Sequence, residues 1–459
     1  MATAIHEGQA TFGDEAFEDI ITHNYQEVAD RHGVSNDELV AAFPLRPVTH
    51  EEIAVGGLSF ETWRHQVGAL DPEDRSRGGI EMSPDVTGDK ILDKSVSMFL
   101  KHLLGQTGNV GGKGGIHAET EELAFLREHP ELRRELFHHY ALAHNINPHT
   151  NVVATDINTF GPDMDAIAEA LIPQYGDKAG AAASGASELY GGQPDLHAPH
   201  TGKGASIVLD HYLRDRATAN DEVGHRIKEA IDGGRPLGAI IQGLGKAGAH
   251  FLMTLPEYVQ PVGALERNGG AVAKEGNFLD REQLLTASRN TGLSEAGVGE
   301  VEGAVYLPSE ERSQFWQTEG VHIAGPAFDR NQFTAQDAQN FDGFVVTSVA
   351  NHPLYEPAQA ALRDRKIDEL IGEFTNAGGT YSSQGIWDKI MRPEGWTPER
   401  FEANWQASME RVVDTMIAQR NHMAAERSEF VSFQEVAKEI VVLRGISRLR
   451  AHGSTRHFR

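Results

Sequence analysis

Between residues 235 and 255, an apolar run, a cluster of glycines and a helical run follow one another without a gap. The stretch RPLGAIIQGLGKAGAHFLMTL reads as a strand, then Gly243, Gly245 and Gly248 in the spacing G-x-G-x-x-G, then a helix. Glycines at this spacing permit a tight turn, close approach of the backbone to a pyrophosphate and close helix–strand packing, while the N–H groups at the helix start favour the same anion. The segment therefore predicts a parallel α/β sheet that binds a dinucleotide. The predicted contacts in this turn are Gly243, Gly245, Lys246, Ala247 and Gly248.

A second predicted strand, VQPVGALE, ends at Glu266. This acid follows the glycine turn at close to the ~20-residue separation at which a carboxylate binds the hydroxyls of an adenosine ribose. Because a carboxylate at that place repels a 2′-phosphate, we predict NAD as the cofactor, with NADP disfavoured. Arg267 follows directly and could weaken this preference. The alternative is an ordinary strand–helix turn followed by a surface glutamate.

Four glycines surround Lys113 in the stretch NVGGKGGIHAE, residues 109–119. Glycine gives up the most backbone entropy on folding, so such a cluster indicates that backbone passes close to a bound molecule while the ammonium reaches it. The alternative is a mobile loop. Lys101, near the end of a helix predicted over residues 87–104, precedes this loop. Two ammonium groups brought together lower each other's pKa, which suits proton chemistry near neutral pH.

Asp156 comes at the end of a short predicted strand in TNVVATDINT. A carboxylate at a strand end can pass protons to and from a reacting nitrogen or oxygen. Each of these residues also has a purely structural interpretation. Lys101 would then be a solvated helix residue, and Asp156 would cap the turn that follows it.

Charge and composition exclude several other classes of protein. The 459 residues carry a formal net charge of −26, which disfavours nucleic acids and anionic membranes as partners. There is no cysteine, so disulfides, thiol nucleophiles and zinc–thiolate sites are excluded. We predict no metal site. The start of the sequence shows no targeting segment and no stretch reaches ~18 apolar residues, so we expect a cytoplasmic protein without a membrane span.

Several motifs, in one order along the chain, resemble the glutamate/leucine/phenylalanine/valine dehydrogenase family, and the glutamate dehydrogenases within it most. Residues 76–116, SRGGIEMSPDVTGDKILDKSVSMFLKHLLGQTGNVGGKGGI, are similar without a gap to the family segment K-G-G-x-R…M-x-x-K…G-G-x-K-G-G. INPHTNVVATDINTFGPDM, GGQPDLHAPHTGKG, VHIAGPAFDRNQF and NAGGTYSSQGIWD resemble further family motifs. The resemblance spans most of residues 60–455.

The resemblance implies a role for each matching position. Lys113 is similar to the catalytic lysine that polarises the substrate carbonyl, and Asp156 to the proton-transferring aspartate. The implied substrate-binding residues are Lys101 for the α-carboxylate, and Arg77 with Ser383 for the side-chain carboxylate. Thr201 and Asn351 match positions near the nicotinamide.

Four departures from the family pattern bear on the substrate. Arg77 replaces a lysine, Glu81 replaces an arginine, Thr155 replaces the proline before the aspartate, and the stretch GGQPDLHAPH lacks the family's arginine and glutamate. The function implied is NAD-dependent, reversible oxidative deamination of L-glutamate to 2-oxoglutarate and ammonia. The alternatives are a dehydrogenase of another amino acid, such as aspartate, or a catalytically impaired regulatory subunit.

We therefore predict an α/β fold of two domains. Residues 1–204, rejoined by the C-terminal helices of residues 376–459, form an α/β substrate-binding and oligomerisation domain, and residues 205–375 form a Rossmann-type dinucleotide-binding domain. A Gly/Ala/Ser-rich passage, residues 176–204, is the predicted connection. The family also implies a homo-oligomer, most often a hexamer, whose partners are a small amino or oxo acid and ammonia.

Overall fold

The computed structural model describes about two thirds of the chain. The described residues are 22, 25–42, 113–114, 154–155, 165, 168–169, 172, 176–182, 186–190 and 197–452, the last without 268, 275–276, 328–331, 351–352, 355 and 392. The helices predicted over residues 87–104 and 121–145 lie outside them. Among the described residues, no helix combines the length and the apolar character needed to cross a bilayer.

The chain divides into two compact units. One, here called the sheet unit, comprises His197–Ser382 with Glu402–Ala437, and the other, the terminal unit, comprises Met1–Leu196, Ser383–Phe401 and Lys438–Arg459. The domain boundaries suggested by the sequence, at residues 204/205 and 375/376, stay predictions.

Strands and helices alternate through the sheet unit. The described strands are β1 (Lys113–Gly114), β2 (Ala154–Thr155), β3 (Leu237–Gln242), β4 (Val259–Glu266), β5 (Gly269–Ala273), β6 (Ala304–Leu307), β7 (Val321–Pro326), β8 (Val345–Thr347) and β9 (Asp368–Leu370). The described helices are α1 (Asn36–Ala42), α2 (Ala179–Ala182), α3 (His197–Arg216), α4 (Glu222–Ile231), α5 (Lys246–Thr254), α6 (Arg281–Thr291), α7 (Glu295–Val298), α8 (Arg312–Phe315), α9 (Ala335–Asn340), α10 (Glu356–Asp364), α11 (Gly372–Thr375), α12 (Ala377–Met391), α13 (Pro398–Arg427) and α14 (Phe433–His452). The predicted α/β class is confirmed.

The sheet unit is built on a seven-stranded sheet in the order β6-β5-β4-β3-β7-β8-β9. The strands from β4 to β9 in this order pair in parallel, and β3 is buried along its whole length. The prediction of a purely parallel sheet is wrong at one edge, because β5 pairs antiparallel with β4 and β6 antiparallel with β5. Only two residues separate β4 from β5, too few for the crossover that a parallel pair requires.

The two C-terminal helices begin where their capping residues predict. The backbone N–H of Arg400 donates to Oγ1 of Thr397 over 3.2 Å, and Pro398 is the first residue of α13. At the start of α14, Ser432 and Glu435 form a reciprocal capping box: the Ser432 N–H donates to the Glu435 carboxylate over 2.9 Å and the Glu435 N–H to Ser432 Oγ over 3.3 Å. Both sequence predictions are confirmed.

Within the terminal unit, α14 contacts residues near the start of the chain. The carboxylate of Glu439 accepts a hydrogen bond from Arg31 over 3.3 Å and pairs closely with the ring of His32. Farther along the helix, Arg450 pairs with Glu38 of α1 over 3.2 Å. The predicted return of the C-terminal helix to the N-terminal part of the chain is confirmed for α14.

A buried carboxyl group lies in β9 at the edge of the sheet. The carboxylate of Glu369 accepts hydrogen bonds from Ser348 over 3.0 Å, from Gln359 over 3.2 Å and from Gln434 over 2.5 Å. Burial raises the pKa of Glu369 from 4.5 to about 7, and this exceeds the opposite effect of the three hydrogen-bond donors. Glu373 also raises this pKa through its charge.

We expect Glu369→Gln to remove a pH dependence of stability. The folded protein keeps the Glu369 proton up to about pH 7, whereas the unfolded chain releases it near 4.5, so stability falls as pH rises between these values and is constant above them. Glutamine cannot ionise, and the variant should be more stable than the wild type at pH 8 by ~1–3 kcal/mol. Urea unfolding at pH 5.5 and pH 8 measures this difference, with exposed Glu300→Gln as control. A wild type whose stability does not fall over this range would contradict the assignment.

Candidate functional site

The glycine turn of residues 243–248 lies where the sheet reverses its direction of winding. The chain passes from β3 to its neighbour β4 on one side and later returns to β7 on the other side of β3. Ligands of open α/β sheets bind in the crevice at this point, beyond the carboxyl ends of the strands. Backbone hydrogen bonds of 2.7 Å from Gly243 to Leu265 and from Ala327 to Gln242 fix the turn between β4 and the end of β7.

Each glycine of the motif has a distinct structural role. Gly243 has a φ of +89°, a left-handed conformation that other residues rarely adopt. A Cβ on Gly248 would lie 1.9 Å from the carbonyl oxygen of Gly243, so only glycine permits the contact between α5 and the turn. Gly245 caps α5, and a Cβ added there would meet no atom within 4 Å. Open space at Gly245, next to the first N–H groups of α5, fits a pyrophosphate.

The substitutions Gly248→Ala and Gly245→Ala should separate packing from cofactor approach. Gly248→Ala forces Cβ against backbone, and we expect it to lower the stability by ~1–3 kcal/mol. Gly245→Ala has room for its methyl group and should keep the wild-type melting temperature, but the methyl group enters the space predicted for the pyrophosphate. The dissociation constant for NADH should then rise at least about tenfold. Thermal unfolding and NADH fluorescence titration measure the two effects, and wild-type affinity in Gly245→Ala would place the pyrophosphate elsewhere.

Glu266 is the last residue of β4, as the sequence predicts. Its side chain is half-buried, and Oε1 accepts a hydrogen bond of 2.6 Å from the hydroxyl of Ser288 on α6. No spacing rule in the sequence singles out Ser288, because this contact depends on the packing of α6 against the end of β4. The parallel neighbours β3 and β4 place the glycine turn and Glu266 at the same edge of the sheet.

Thr201 lies in the second turn of α3, which packs directly on α5. A Cβ on Gly202 would lie 2.3 Å from the carbonyl oxygen of Ala247 and 2.5 Å from the N atom of Phe251. The end of the glycine-rich passage of residues 176–204 is therefore not a flexible connection: from His197 onward it is helical, and Gly202 permits close helix contact. Sequence reasoning assigned these glycines to a linker because composition alone does not distinguish the two uses.

A second group of polar residues was not anticipated. The buried ring of His200 pairs through Nε2 with Oε1 of Glu402 over 2.8 Å, and Lys203 pairs with Oε2 of the same carboxylate over 2.8 Å. Both nitrogens also lie against the indole ring of Trp405, His200 edge-on and Lys203 over its face. These contacts join the first turns of α3 to the first turns of α13 within the sheet unit.

Lys113 lies on β1, which pairs in parallel with β2 in the terminal unit. The register matches Lys113 with Ala154 and Gly114 with Thr155, the residue that precedes Asp156 in the sequence. The structure therefore brings the backbones of the glycine–lysine stretch and of the strand leading to Asp156 side by side. Arg77, Lys101, Asp156 and Asn351 lie outside the described residues, as do the side chains of Lys113 and Ser383. Ser383 itself falls within α12.

A parallel sheet with a glycine turn at its switch point and an acid at the end of the next strand defines a dinucleotide-binding α/β protein. Residues 197–443 match the family model described as Glutamate/Leucine/Phenylalanine/Valine dehydrogenase, and residues 60–172 match the dimerisation domain of the same family. The chain belongs to this family, and the resemblance inferred from the motifs is confirmed. It is an oxidoreductase of the NAD(P)-dependent amino acid dehydrogenase class.

The similar proteins carry glutamate dehydrogenase names and both cofactor specificities. The NADP-specific glutamate dehydrogenase of Saccharolobus shibatae is 28% identical over 392 residues, which cover 81% of this chain and 84% of that protein. The NAD-specific enzyme of Peptoniphilus asaccharolyticus is 25% identical over 374 residues, covering 78% and 80%. A leucine-bound crystal structure of hetero-hexameric glutamate dehydrogenase from Thermus thermophilus has the same fold, with a TM-score of 0.60 at 19% identity over 81% of this chain and 80% of that one.

Proposed function

We propose that this protein is a glutamate dehydrogenase that converts L-glutamate reversibly to 2-oxoglutarate and ammonia with NAD. The observation that carries the proposal is the parallel pairing of Lys113 with Ala154, because the chain reaches Asp156 one residue after β2 ends. An amine and a carboxylate on neighbouring strands suit a reaction that polarises a carbonyl and moves protons at the same carbon. The glutamate dehydrogenase names of the relatives support the choice of substrate.

The proposed roles follow the family residue by residue. Lys113 polarises the substrate carbonyl and activates water, and Asp156 transfers protons to and from the reacting nitrogen. Lys101 binds the α-carboxylate, while Arg77 and Ser383 bind the side-chain carboxylate. Thr201 and Asn351 lie near the nicotinamide, which exchanges a hydride with the α-carbon when the cofactor is bound.

NAD is proposed over NADP because Glu266 ends β4 where a carboxylate meets the adenosine ribose. Relatives of both specificities match the chain to a similar degree, so the argument depends on this residue rather than on the relatives. The match of residues 60–172 to a dimerisation domain supports an oligomer, which we propose to be a homohexamer. We further propose a cytoplasmic location.

The test is a panel of 2-oxo acids assayed with ammonia and either NADH or NADPH, followed by the loss of reduced nicotinamide. We expect 2-oxoglutarate to be reduced most efficiently and NADH to be preferred. Oxaloacetate as the best substrate would indicate an aspartate dehydrogenase. Turnover of none of the acids, with NADH binding retained, would favour the regulatory subunit.

A further inference from the structure

The contact between Glu266 and Ser288 has a consequence for cofactor selection. Ser288 lies in the second half of α6, and its hydroxyl donates to Oε1 of Glu266 over 2.6 Å. A hydrogen bond from a hydroxyl to an ionised carboxylate at this distance is short and charge-assisted. A carboxylate offers about four acceptor positions, so Glu266 can hold Ser288 and still accept hydrogen bonds from a ribose.

The helix that carries Ser288 is itself fixed to β4. At its start, Arg281 donates to the carbonyl oxygen of Val259 over 2.7 Å and to that of Leu255 over 3.0 Å. Asp280 caps α6 by accepting from the Gln283 N–H over 2.8 Å. Arg281 thus fixes the helix to the beginning of β4, while Ser288 bonds to the residue that ends it. The serine hydroxyl is therefore presented from an element that cannot easily shift relative to the strand.

The hydrogen bond restricts a side chain that otherwise has three rotatable bonds. A free glutamate side chain loses up to ~1.5–2 kcal/mol of rotamer entropy when it is fixed, and a half-buried one can turn away from an approaching phosphate. With Oε1 held by Ser288, Glu266 is pre-organised both to accept from ribose hydroxyls and to repel a 2′-phosphate. Pre-organisation of this kind raises affinity for one ligand by reducing the ordering cost of binding.

We propose that Ser288 is a positioning residue that sets the preference for NAD by holding Glu266 at the ribose position. The proposal rests on the proposed function, specifically on the role given there to Glu266. Ser288 itself does not touch the cofactor and acts through the carboxylate.

The test compares the dissociation constants of NADH and NADPH in the full-length protein, measured by nicotinamide fluorescence. Ser288→Ala should reduce the ratio of NADPH to NADH dissociation constants about tenfold, because NADH loses a pre-organised partner and NADPH meets a carboxylate that can move away. Ser288→Thr keeps the hydroxyl and should restore the wild-type ratio. Thr286→Ala, at an exposed position two residues earlier on the same helix, is the matched control and should leave both constants unchanged.

The Glu266→Ser background separates the two levels of the argument. Glu266→Ser should lower the same ratio, and adding Ser288→Ala to it should change nothing further, because the serine has no carboxylate left to hold. If Glu266→Ser lowers the ratio but Ser288→Ala does not, the role of Ser288 is overturned and the NAD proposal stands. If Glu266→Ser leaves the ratio unchanged, the ribose role of Glu266 fails as well. Equal weakening of both cofactors by Ser288→Ala would show that the hydrogen bond only supports the fold.

Discussion

Replacing Lys113 with alanine is expected to reduce turnover by at least about a thousandfold while NADH binding stays close to that of the wild type. The proposed lysine supplies both the charge that polarises the carbonyl and a group that exchanges protons, and alanine supplies neither. The dinucleotide turn is in the sheet unit, whereas Lys113 lies on β1 of the terminal unit. Steady-state reduction of 2-oxoglutarate and NADH fluorescence titration measure the two quantities separately.

Two further variants define what Lys113 contributes. Lys113→Arg keeps a positive charge but not an amine that can deprotonate near neutral pH, so it should remain as impaired as the alanine variant. Lys228→Ala, at an exposed position of α4, is the control and should keep wild-type turnover. Asp156→Asn should show the same loss of turnover with retained NADH binding. Near-normal activity of Lys113→Ala would refute the proposed role of this lysine.

Arg77→Leu is expected to reduce the efficiency with 2-oxoglutarate far more than with an apolar 2-oxo acid. If Arg77 pairs with the distal carboxylate of the substrate, the contact is charge-assisted and, with a planar guanidinium, can be bidentate. Removing one partner of a buried charge pair commonly costs ~2–5 kcal/mol, a loss of about tens- to thousands-fold in kcat/KM. Comparing 2-oxoglutarate, oxaloacetate and 2-oxoisocaproate in the wild type and the variant measures this selectivity.

Arg77→Lys is the matched variant, because it retains the charge and restores the residue found at this position in the resembling glutamate dehydrogenases. It should keep most of the efficiency with 2-oxoglutarate. Glu81, four residues on, is a possible internal partner of Arg77; if the two residues pair with each other, the wild type itself should show little preference for acidic substrates. An equal loss on all three acids in Arg77→Leu would mean that Arg77 supports the fold and does not select the side chain.

The local features of the dinucleotide unit follow from residues close together in the chain. The G-x-G-x-x-G turn, the strand that ends at Glu266 and the caps at Thr397 and Ser432 each depend on only a few neighbouring residues. Backbone sterics, hydrogen-bond capacity and apolar periodicity act over that range, so the sequence alone predicts these features. The ordered series of motifs also identifies the family.

The remaining features depend on packing between residues that are distant in the sequence. Gly202 serves a helix contact rather than a linker only because Ala247 and Phe251 lie against it. Likewise, Glu266 is held by Ser288, and Glu369 keeps its proton toward neutral pH because burial in β9 outweighs the three donors around it. The sequence by itself determined the class of fold, the position of the dinucleotide turn and the acid that follows it. Only the tertiary structure decided which glycines pack, which edge of the sheet is antiparallel and which side chain orients that acid, because close contacts and desolvation arise only when separate elements pack together.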